Sequence, residues 1–371
     1  MDTYYPAVIK SLGFHEHHHL KSGFESHVQE LASAGFGTGA AYSSAMNGLG
    51  WDSNITVPNA RGTQTAWALE SGLATPIQQG WNHALHLSRI PVVRSMARHF
   101  PHVHQTLLNQ VKSMKPDVLF IQDLNLIPRS FAIELKKYAG TMVGEIASPP
   151  PPKSYFLEYD LIVSALPSIV SQVRSWGIKS VYIPLAFDER WASFRSASSR
   201  KIDAIFIGSF SRHQPQTIPL LQSIASVAPG LQIFGPANLK DLARAGLRSF
   251  YHGEAWGKDM FNLLANSKIV VNRHGTIAGD FAVNMRMYEA TGSGAALVTE
   301  NKSNLSEIFE PGREVIAYNN YEEAAASVLE LLQDESRLSE VARNGQSRTL
   351  REHTYTMRAS VLSSLLGGPD A

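Results

Sequence analysis

The chain has 371 residues, of which 44% are hydrophobic, and a formal net charge of +1. This length exceeds the roughly 250–300 residues at which single cores stop growing, so two domains are expected. The near-zero charge argues against nucleic acid or an anionic membrane as a partner. The absence of cysteine excludes disulfides, thiolate metal sites and a cysteine nucleophile.

The first hundred residues carry only weak periodic patterns. Phe24, Val28 and Leu31 recur at helical spacing and predict one helix, and residues 40–50 predict a second that ends at glycine. No basic segment precedes an apolar run of signal-peptide length, and no stretch reaches the roughly 18 apolar residues of a membrane span. We therefore expect a cytoplasmic protein.

Strands and helices alternate from residue 116 onward. The run PDVLFIQD, residues 116–123, is nearly all apolar until its end, as expected of a strand covered on both faces. Further strands are predicted at residues 141–149, 159–165 and 180–187. The alternation predicts a parallel sheet, and ligands bind such sheets at the carboxyl ends of the strands. Asp123 is therefore expected near a ligand.

A second alternating series follows residues 188–201, which are rich in serine and arginine and predict a linker. Its strands are predicted at residues 202–211, 231–237, 268–275, 295–301 and 314–320, with helices over 321–366. The sequence thus predicts an α/β protein with two doubly wound parallel-sheet domains. The alternative, one large α/β sheet, is disfavoured by the linker.

The segment NMRMYEATGSGAALVTE, residues 284–300, is the strongest candidate for a ligand site. A helix starting near Val283 puts Arg286 and Glu289 on one face, and Gly292 and Gly294 end it. Three apolar side chains are expected to face the sheet: Met287, Tyr288 and Ala290.

A helix start suits a phosphate, because its N–H groups are free and the helix dipole is positive there. Arg286 could add a bidentate contact to that phosphate, and Glu289 could accept hydrogen bonds from sugar hydroxyls, with Asn284 beside them. The alternative is an exposed ion pair worth a few tenths of a kcal/mol.

Two other strand ends carry candidate ligand contacts. Gly208 and Ser209 could offer backbone N–H groups to a diphosphate that Arg212 neutralises, although an ordinary glycine turn explains them equally well. The second group follows the strand at 268–275 and consists of Asn272, Arg273, His274 and Gly275. The histidine could equally be a structural hydrogen-bonding group.

Several segments together resemble the CgeB-like, spore-maturation-protein branch of the group 1 glycosyltransferases. The similarity spans about residues 116–360. In the second half the segments that carry it are residues 205–210, 270–275, 284–300, 305–320 and 343–359. In the first half they are residues 116–123, 144–149 and 159–188.

The resemblance implies the GT-B fold, in which two Rossmann-like domains face each other across a cleft. Residues 1–190 would form the acceptor-side domain, residues 201–350 would hold a nucleotide-sugar, and a helix within 351–371 would cross back to the first domain. The two domains would close over the donor. His353 and Thr354 would cap the last helix, and Tyr355 would pack.

The resemblance also implies roles for individual residues. The superfamily has two glutamates eight residues apart, and Glu289 matches the second, which binds the ribose. Phe281 occupies the first position, so its neighbour Asp280 becomes the candidate for facing the donor sugar. Gly23 and His27 are loose equivalents of a glycine-rich turn that faces the donor phosphates.

Asp123 is the candidate for touching the acceptor hydroxyl, as base or orienter, with helix capping as the alternative. No metal is expected. The histidines of residues 15–19 are better explained as a solvated loop, because adjacent side chains cannot all face one ion. Arginines and helix starts would stabilise the leaving diphosphate instead.

The resemblance therefore implies a metal-independent, retaining glycosyltransferase that has no cofactor. It would move a sugar from a nucleotide-sugar, preferably a UDP-sugar, to a hydroxyl of a glycan, lipid-linked glycan, protein or small molecule. A nucleotide-sugar 2-epimerase is one alternative. A non-catalytic nucleotide-binding or structural protein on a degenerate GT-B fold is another, and Phe281 favours it.

Overall fold

A computed structural model describes residues 1–12, 23–73, 101–193, 197–210 and 216–368. The chain divides into two compact units. The first unit comprises Met1–Asn47 and Asp52–Ile183, and the second comprises Gly48–Trp51 and Pro184–Ala371. Within the described ranges, no helix has both the length and the apolar character that crossing a bilayer requires.

The first unit is built on a four-stranded, all-parallel sheet. In order across the sheet its strands are β1 (Val118–Ile121), β2 (Thr141–Glu145), β3 (Leu161–Ser164) and β4 (Ser180–Tyr182). All four residues of β3 are buried, because a parallel sheet covered on both faces needs a continuous apolar run. The register sets Ile121 opposite Gly144, so Gln122 and Glu145 follow side by side at the carboxyl edge.

The helices of the first unit include the two predicted near the start of the chain. They are α1 (Pro6–Ser11), α2 (Phe24–Ala32), α3 (Gly39–Gly48), α4 (Arg61–Glu70), α5 (Pro101–Met114), α6 (Arg129–Lys136) and α7 (Pro167–Ser175).

The second unit has a five-stranded, all-parallel sheet. In order across the sheet its strands are β6 (Leu231–Phe234), β5 (Ile202–Ile207), β7 (Ser267–Asn272), β8 (Ala296–Glu300) and β9 (Ile316–Tyr318). Ala204 and Phe206 belong to one hydrophobic core, and Ile205 and Ile207 belong to another. Because successive residues of a strand point to opposite faces, this division shows a core on each side of the sheet.

The second unit has eight described helices, and all but the last contribute buried residues to the two cores that flank the sheet. They are α8 (Thr217–Val227), α9 (Leu239–Arg244), α10 (Gly257–Ala265), α11 (Met285–Gly292), α12 (Leu305–Ile308), α13 (Tyr321–Gln333), α14 (Glu335–Glu352) and α15 (Tyr355–Leu366). His353 ends α14, Thr354 caps α15, and Tyr355 is buried. The predicted capping by Thr354 and packing of Tyr355 are confirmed, whereas His353 caps the end of α14 and not the start of the last helix.

The two units meet in sequence at Ile183 and Pro184, before the segment that composition marked as a linker. Arg200, near the end of that segment, is only 3% exposed. Its guanidinium donates to the carbonyls of Ala265 at 2.9 Å and Ser293 at 3.0 Å. This end of the predicted linker is therefore a fixed part of the second unit.

Candidate active site

The helix α11 begins at the carboxyl edge of the second sheet, where Asn284 caps it. Asn284 Oδ1 accepts the N–H of Arg286 at 2.7 Å, and Nδ2 donates to the carbonyl of Arg273 at 3.0 Å. Arg273 directly follows β7, so the cap fastens the first turn of α11 to the end of that strand. Asn284, predicted as a donor contact, thus uses both ends of its amide within the fold.

Arg286 and Glu289 form an ion pair on the first turns of α11, as their spacing predicts. Arg286 Nη1 lies 2.6 Å from Glu289 Oε2, and Arg286 Nε donates to the carbonyl of Ile207 at 3.3 Å. The side chains are only 15% and 10% exposed. The alternative of an exposed surface pair is therefore wrong, and the pair lies at the end of β5.

The Arg286–Glu289 pair has polar atoms that the fold does not use. Within the described part of the chain, neither Oε1 of Glu289 nor Nη2 of Arg286 has a hydrogen-bond partner. Burial raises the pKa of Glu289 and the charge of Arg286 opposes that rise. A hydrogen-bond acceptor and a charged donor are thus left at the start of a helix, where the dipole is positive.

The opposite side of α11 packs against the hydrophobic core of the second unit. Gly292 ends the helix, and a Cβ at this position would lie 2.4 Å from the buried ring of Phe187. Gly294 then reverses the chain with a φ of 76°. The apolar side chains predicted to face the core are all buried: Met287, Tyr288 and Ala290.

Asn272, at the end of β7, points into the protein. Its Nδ2 donates to Thr299 Oγ1 at 2.9 Å, and its carbonyl accepts the hydroxyl of Tyr318 at 2.8 Å. The residue is 2% exposed. The prediction that Asn272 contacts a donor is therefore wrong, because the side chain joins neighbouring strands beneath the edge.

His274 is also buried, at 2% exposure. Thr299 Oγ1 accepts from Asn272, so its own hydrogen is free to point at His274 Nε2, 3.4 Å away. Burial lowers the pKa of His274 to about 4, so the imidazole is neutral at neutral pH. The structural role that the sequence left open for His274 is the one observed, and the predicted direct donor contact is not.

Arg273, Glu300 and Lys302 provide the remaining charges at this edge. Arg273 Nη2 donates to Gln216 Oε1 at 2.9 Å, and Gly275 precedes a short 3-10 turn. Glu300 ends β8 and pairs with Lys302 at 3.1 Å. Sequence reasoning missed Glu300, although its place at the end of a predicted strand was the signal. Among the described residues Glu289 pairs with Arg286 and Glu300 pairs with Lys302, whereas Arg273 has no carboxylate partner, which leaves a cation for an anionic ligand.

The glycine turn after β5 is built around a close approach of two backbone segments. Gly208 donates its N–H to the carbonyl of Phe234 at 3.0 Å. A Cβ on Gly235 would lie 1.8 Å from the carbonyl oxygen of Gly208. The N–H of Gly208, predicted to reach a diphosphate, is therefore used within the sheet, whereas Ser209 is partly exposed. Arg212 lies outside the described residues.

Asp280 is exposed and lies in the loop before α11. Its carbonyl accepts hydrogen bonds from the N–H of Ser303 at 3.0 Å and from the Ser303 hydroxyl at 2.8 Å. These bonds fix the backbone of Asp280. They leave its proposed role toward the donor sugar as a prediction.

Asp123 lies at the carboxyl edge of the first sheet, two residues after β1. Its Oδ1 accepts the N–H of Asn125 at 3.1 Å and so caps a 3-10 turn, and its Oδ2 accepts the hydroxyl of Thr3 at 2.9 Å. The capping alternative is therefore correct. The residue is partly exposed, so its proposed contact with an acceptor stays a prediction.

Glu145 is a second acid at this edge and was missed by sequence reasoning. Gln122 Nε2 donates to Glu145 Oε2 at 2.8 Å and also to the hydroxyl of Thr38. Burial raises the pKa of Glu145 to about 7, and the nearby carboxylate of Asp2 adds to the rise. No sequence pattern predicts this pair, because only the strand register brings Gln122 and Glu145 together.

The phosphate-facing role of Gly23 and His27 stays a prediction, and the local contacts disfavour it. Gly23 precedes α2, but Glu70 Oε1 already accepts the first helical N–H, that of Phe24, at 2.7 Å. His27 is completely buried. A carboxylate of the chain therefore already accepts from the first N–H of α2, which a phosphate would otherwise use.

The described residues contain no group of three or more His, Asp or Glu side chains arranged to hold a metal ion. The histidines at 15–19 lie outside the described residues, so the solvated-loop interpretation stays a prediction.

Residues 217–364 match a protein family described as glycosyl transferase-like. The match lies within the second unit and runs from the start of α8 into α15. The prediction of a glycosyltransferase-class enzyme is thereby confirmed at the level of class, and it is the match of this domain that supports it. Among curated proteins, no sequence matches the chain.

Solved glycosyltransferase structures share the fold. HepE from Anabaena, in complex with UDP and glucose, matches with a TM-score of 0.56 and 13% identity over 71% of this chain and 81% of its own. Sucrose-phosphate synthase from Thermosynechococcus elongatus matches with a TM-score of 0.53 and 12% identity over 71% and 76%. The predicted GT-B architecture, with a parallel sheet in each of two α/β domains, is confirmed. The CgeB-like branch stays a prediction.

Proposed function

We propose that the protein transfers a sugar from a nucleotide-sugar, with UDP favoured, to an acceptor hydroxyl. The observation that carries the proposal is the Arg286–Glu289 pair, held at the start of α11 in the domain that matches the glycosyltransferase-like family. The preference for a UDP-sugar donor is supported by the solved HepE structures, which hold UDP or UDP-glucose.

The pair divides the recognition of the donor between two groups. Glu289 Oε1 would accept hydrogen bonds from ribose hydroxyls, and the free Nη2 of Arg286 would donate to the diphosphate near the positive end of the α11 dipole. As the bond from sugar to phosphate breaks, negative charge grows on the diphosphate. Arg286, Arg273 and Lys302 would stabilise that charge without a metal ion.

The test of this proposal is donor binding and donor turnover. Calorimetry with UDP, GDP and dTDP would select the base, and release of UDP from a panel of UDP-sugars would show turnover. Arg286→Ala and Glu289→Ala should each weaken UDP binding by about tenfold or more, as loss of a charged hydrogen bond does. Arg313→Ala is the matched control, because Arg313 forms an exposed i, i+3 pair with Glu310. Unchanged affinity in both site variants would refute the donor site.

Two finer features belong to the same proposal. Transfer is expected to retain the configuration at the anomeric carbon, which NMR of the product would show, and to continue in the presence of EDTA. Inversion or loss of turnover on chelation would refute the respective feature.

Phe281, at the place of a glutamate, favours one competing function, a nucleotide-binding protein without catalysis. UDP binding that depends on Glu289, with no turnover of any donor, would select it.

A further inference from the structure

Three acidic residues lie at the carboxyl edge of the first sheet: Asp2, Asp123 and Glu145. Within the described chain, none of them has a hydrogen bond from a basic side chain. Asp2 Oδ2 accepts the N–H groups of Thr38 and Gly39, each at 3.0 Å, at the start of α3. Asp123 accepts from a backbone N–H and a hydroxyl, and Glu145 accepts from the amide of Gln122. The amino group of Met1 is the cation that acts on Asp2 and Glu145.

This charge distribution selects the class of ligand. Two partly exposed carboxyl groups, those of Asp123 and Glu145, stand at neighbouring strand ends, and the adjacent buried Asp2 adds negative charge. An anionic ligand would be repelled. A hydroxyl group, which can donate to a carboxylate and also accept from the amide of Gln122, satisfies both kinds of atom at this edge.

Tyr159 supplies an independent sign of a missing partner. Its ring lies against the backbone of Gly144, where an added Cβ would be 3.0 Å from Tyr159 Cδ1 and 3.1 Å from Leu124 Cδ1. The Tyr159 ring therefore lies beside Gly144, the residue before Glu145, and near the side chain of Leu124, the residue after Asp123. Tyr159 is 6% exposed, and its hydroxyl has no hydrogen-bond partner in the described chain.

A buried hydroxyl without a partner costs about 1–3 kcal/mol, so its retention calls for an explanation. Burial raises the pKa of Tyr159, and the nearby charge of Asp123 adds to the rise. The unmet hydrogen bond thus lies beside a carboxylate at the edge where parallel sheets bind ligands.

We propose that Asp123 and Glu145 bind neighbouring hydroxyl groups of a neutral polyol acceptor, with the Tyr159 hydroxyl completing the contacts behind Asp123. Glu145 and Tyr159 thereby set the acceptor class, and this inference rests on the proposed transfer function. Gln122 is a positioning residue that holds the carboxyl group of Glu145.

The experiment is saturation-transfer NMR on the full chain with three probes: glycerol, methyl α-glucoside and glycerol 3-phosphate. Each is measured with and without excess UDP, which keeps the glucoside out of a donor site. The two neutral polyols should receive saturation and glycerol 3-phosphate should not. Glu145→Gln should weaken binding of the neutral probes by about tenfold or more.

Tyr159→Phe separates function from folding. It removes a hydroxyl that has no partner, so its melting temperature should equal or exceed that of the wild type, while probe binding falls. Glu134→Gln is the matched control, because Glu134 is a glutamate of the first unit in an exposed pair with Lys137. It should leave binding unchanged.

The outcomes of this experiment and of the donor test are distinct. Absence of saturation transfer to both neutral polyols, stronger binding of glycerol 3-phosphate, or wild-type binding in both site variants would overturn the acceptor subsite. Failure of UDP to bind, with polyol binding that still depends on Glu145, would overturn the donor proposal and leave the subsite standing.

Discussion

The carboxyl edges of the two sheets hold their acidic residues in different ways. At the edge of the second sheet the two paired carboxylates each have a cation, Glu289 with Arg286 and Glu300 with Lys302. In the first sheet Asp123 and Glu145 are held by neutral donors, namely a backbone N–H, a hydroxyl and an amide. One edge therefore suits an anion and the other a neutral, hydroxyl-rich molecule, although both are ends of parallel strands. Fold alone does not decide the ligand, and the local charges do.

Loss of Arg286 should have the largest effect on stability. Arg286→Ala leaves Glu289 largely buried without its cation, and breaking a buried ion pair costs about 3–5 kcal/mol. Because the pair keeps some exposure, we expect about 3 kcal/mol, at the lower end of that range. Urea unfolding measures the change, and Arg313→Ala should cost at most about 0.5 kcal/mol. Equal losses in the two variants would remove the contrast between a buried pair and a surface pair.

The second unit should lose stability in acid because of His274. Its pKa is lowered from 6.5 to about 4, so the unfolded chain takes up a proton that the folded imidazole does not. The contribution is fully present above pH 6.5 and is lost as pH falls toward 4, by at most about 3 kcal/mol. Urea unfolding of wild type and His274→Gln between pH 7.5 and 4.5 measures it. A constant difference between the two proteins across this window would contradict the assignment.

The first unit should respond to pH in the opposite direction through Glu145. Its folded pKa of about 7 lies above the ordinary 4.5, so its contribution is fully present below pH 4.5 and is lost as pH rises through 7. Glu145→Gln abolishes this loss, and relative to wild type the variant should gain about 2 kcal/mol between pH 4.5 and 8. The same urea titrations measure it. A stability difference between variant and wild type that instead grows in favour of the variant on acidification would show that the two edges do not differ in the way that their partners indicate.

The smallest effect is expected at the start of α2, where Glu70 occupies the helix end that was predicted to face a phosphate. Glu70→Ala should cost about 0.5–1 kcal/mol, as loss of a helix cap does. UDP affinity should stay unchanged, since Gly23 and His27 have no ligand role in this interpretation. A drop in UDP affinity with the variant, measured by calorimetry, would restore α2 as part of the donor site.

The sequence by itself determined the alternation of strands and helices, since a strand of a parallel sheet must be apolar on both faces and a helix on one. It also determined that Arg286 and Glu289 share a helix face and that Asp123 follows a strand end. These are local properties, because they depend on spacing along a few residues. The spacing of Met287, Tyr288 and Ala290 predicted in the same way which side of α11 is buried.

Only the tertiary structure decided which polar side chains are available to a ligand. Asn272 and His274 follow the same strand as Arg273, yet they turn into the core, because Thr299 on the neighbouring strand offers them a hydrogen bond. Glu70 reaches the start of α2 from another helix. Glu145 meets Gln122 through the register of β1 and β2. Contacts between residues far apart in sequence set the burial and charge of each group, and no short stretch of sequence contains that information.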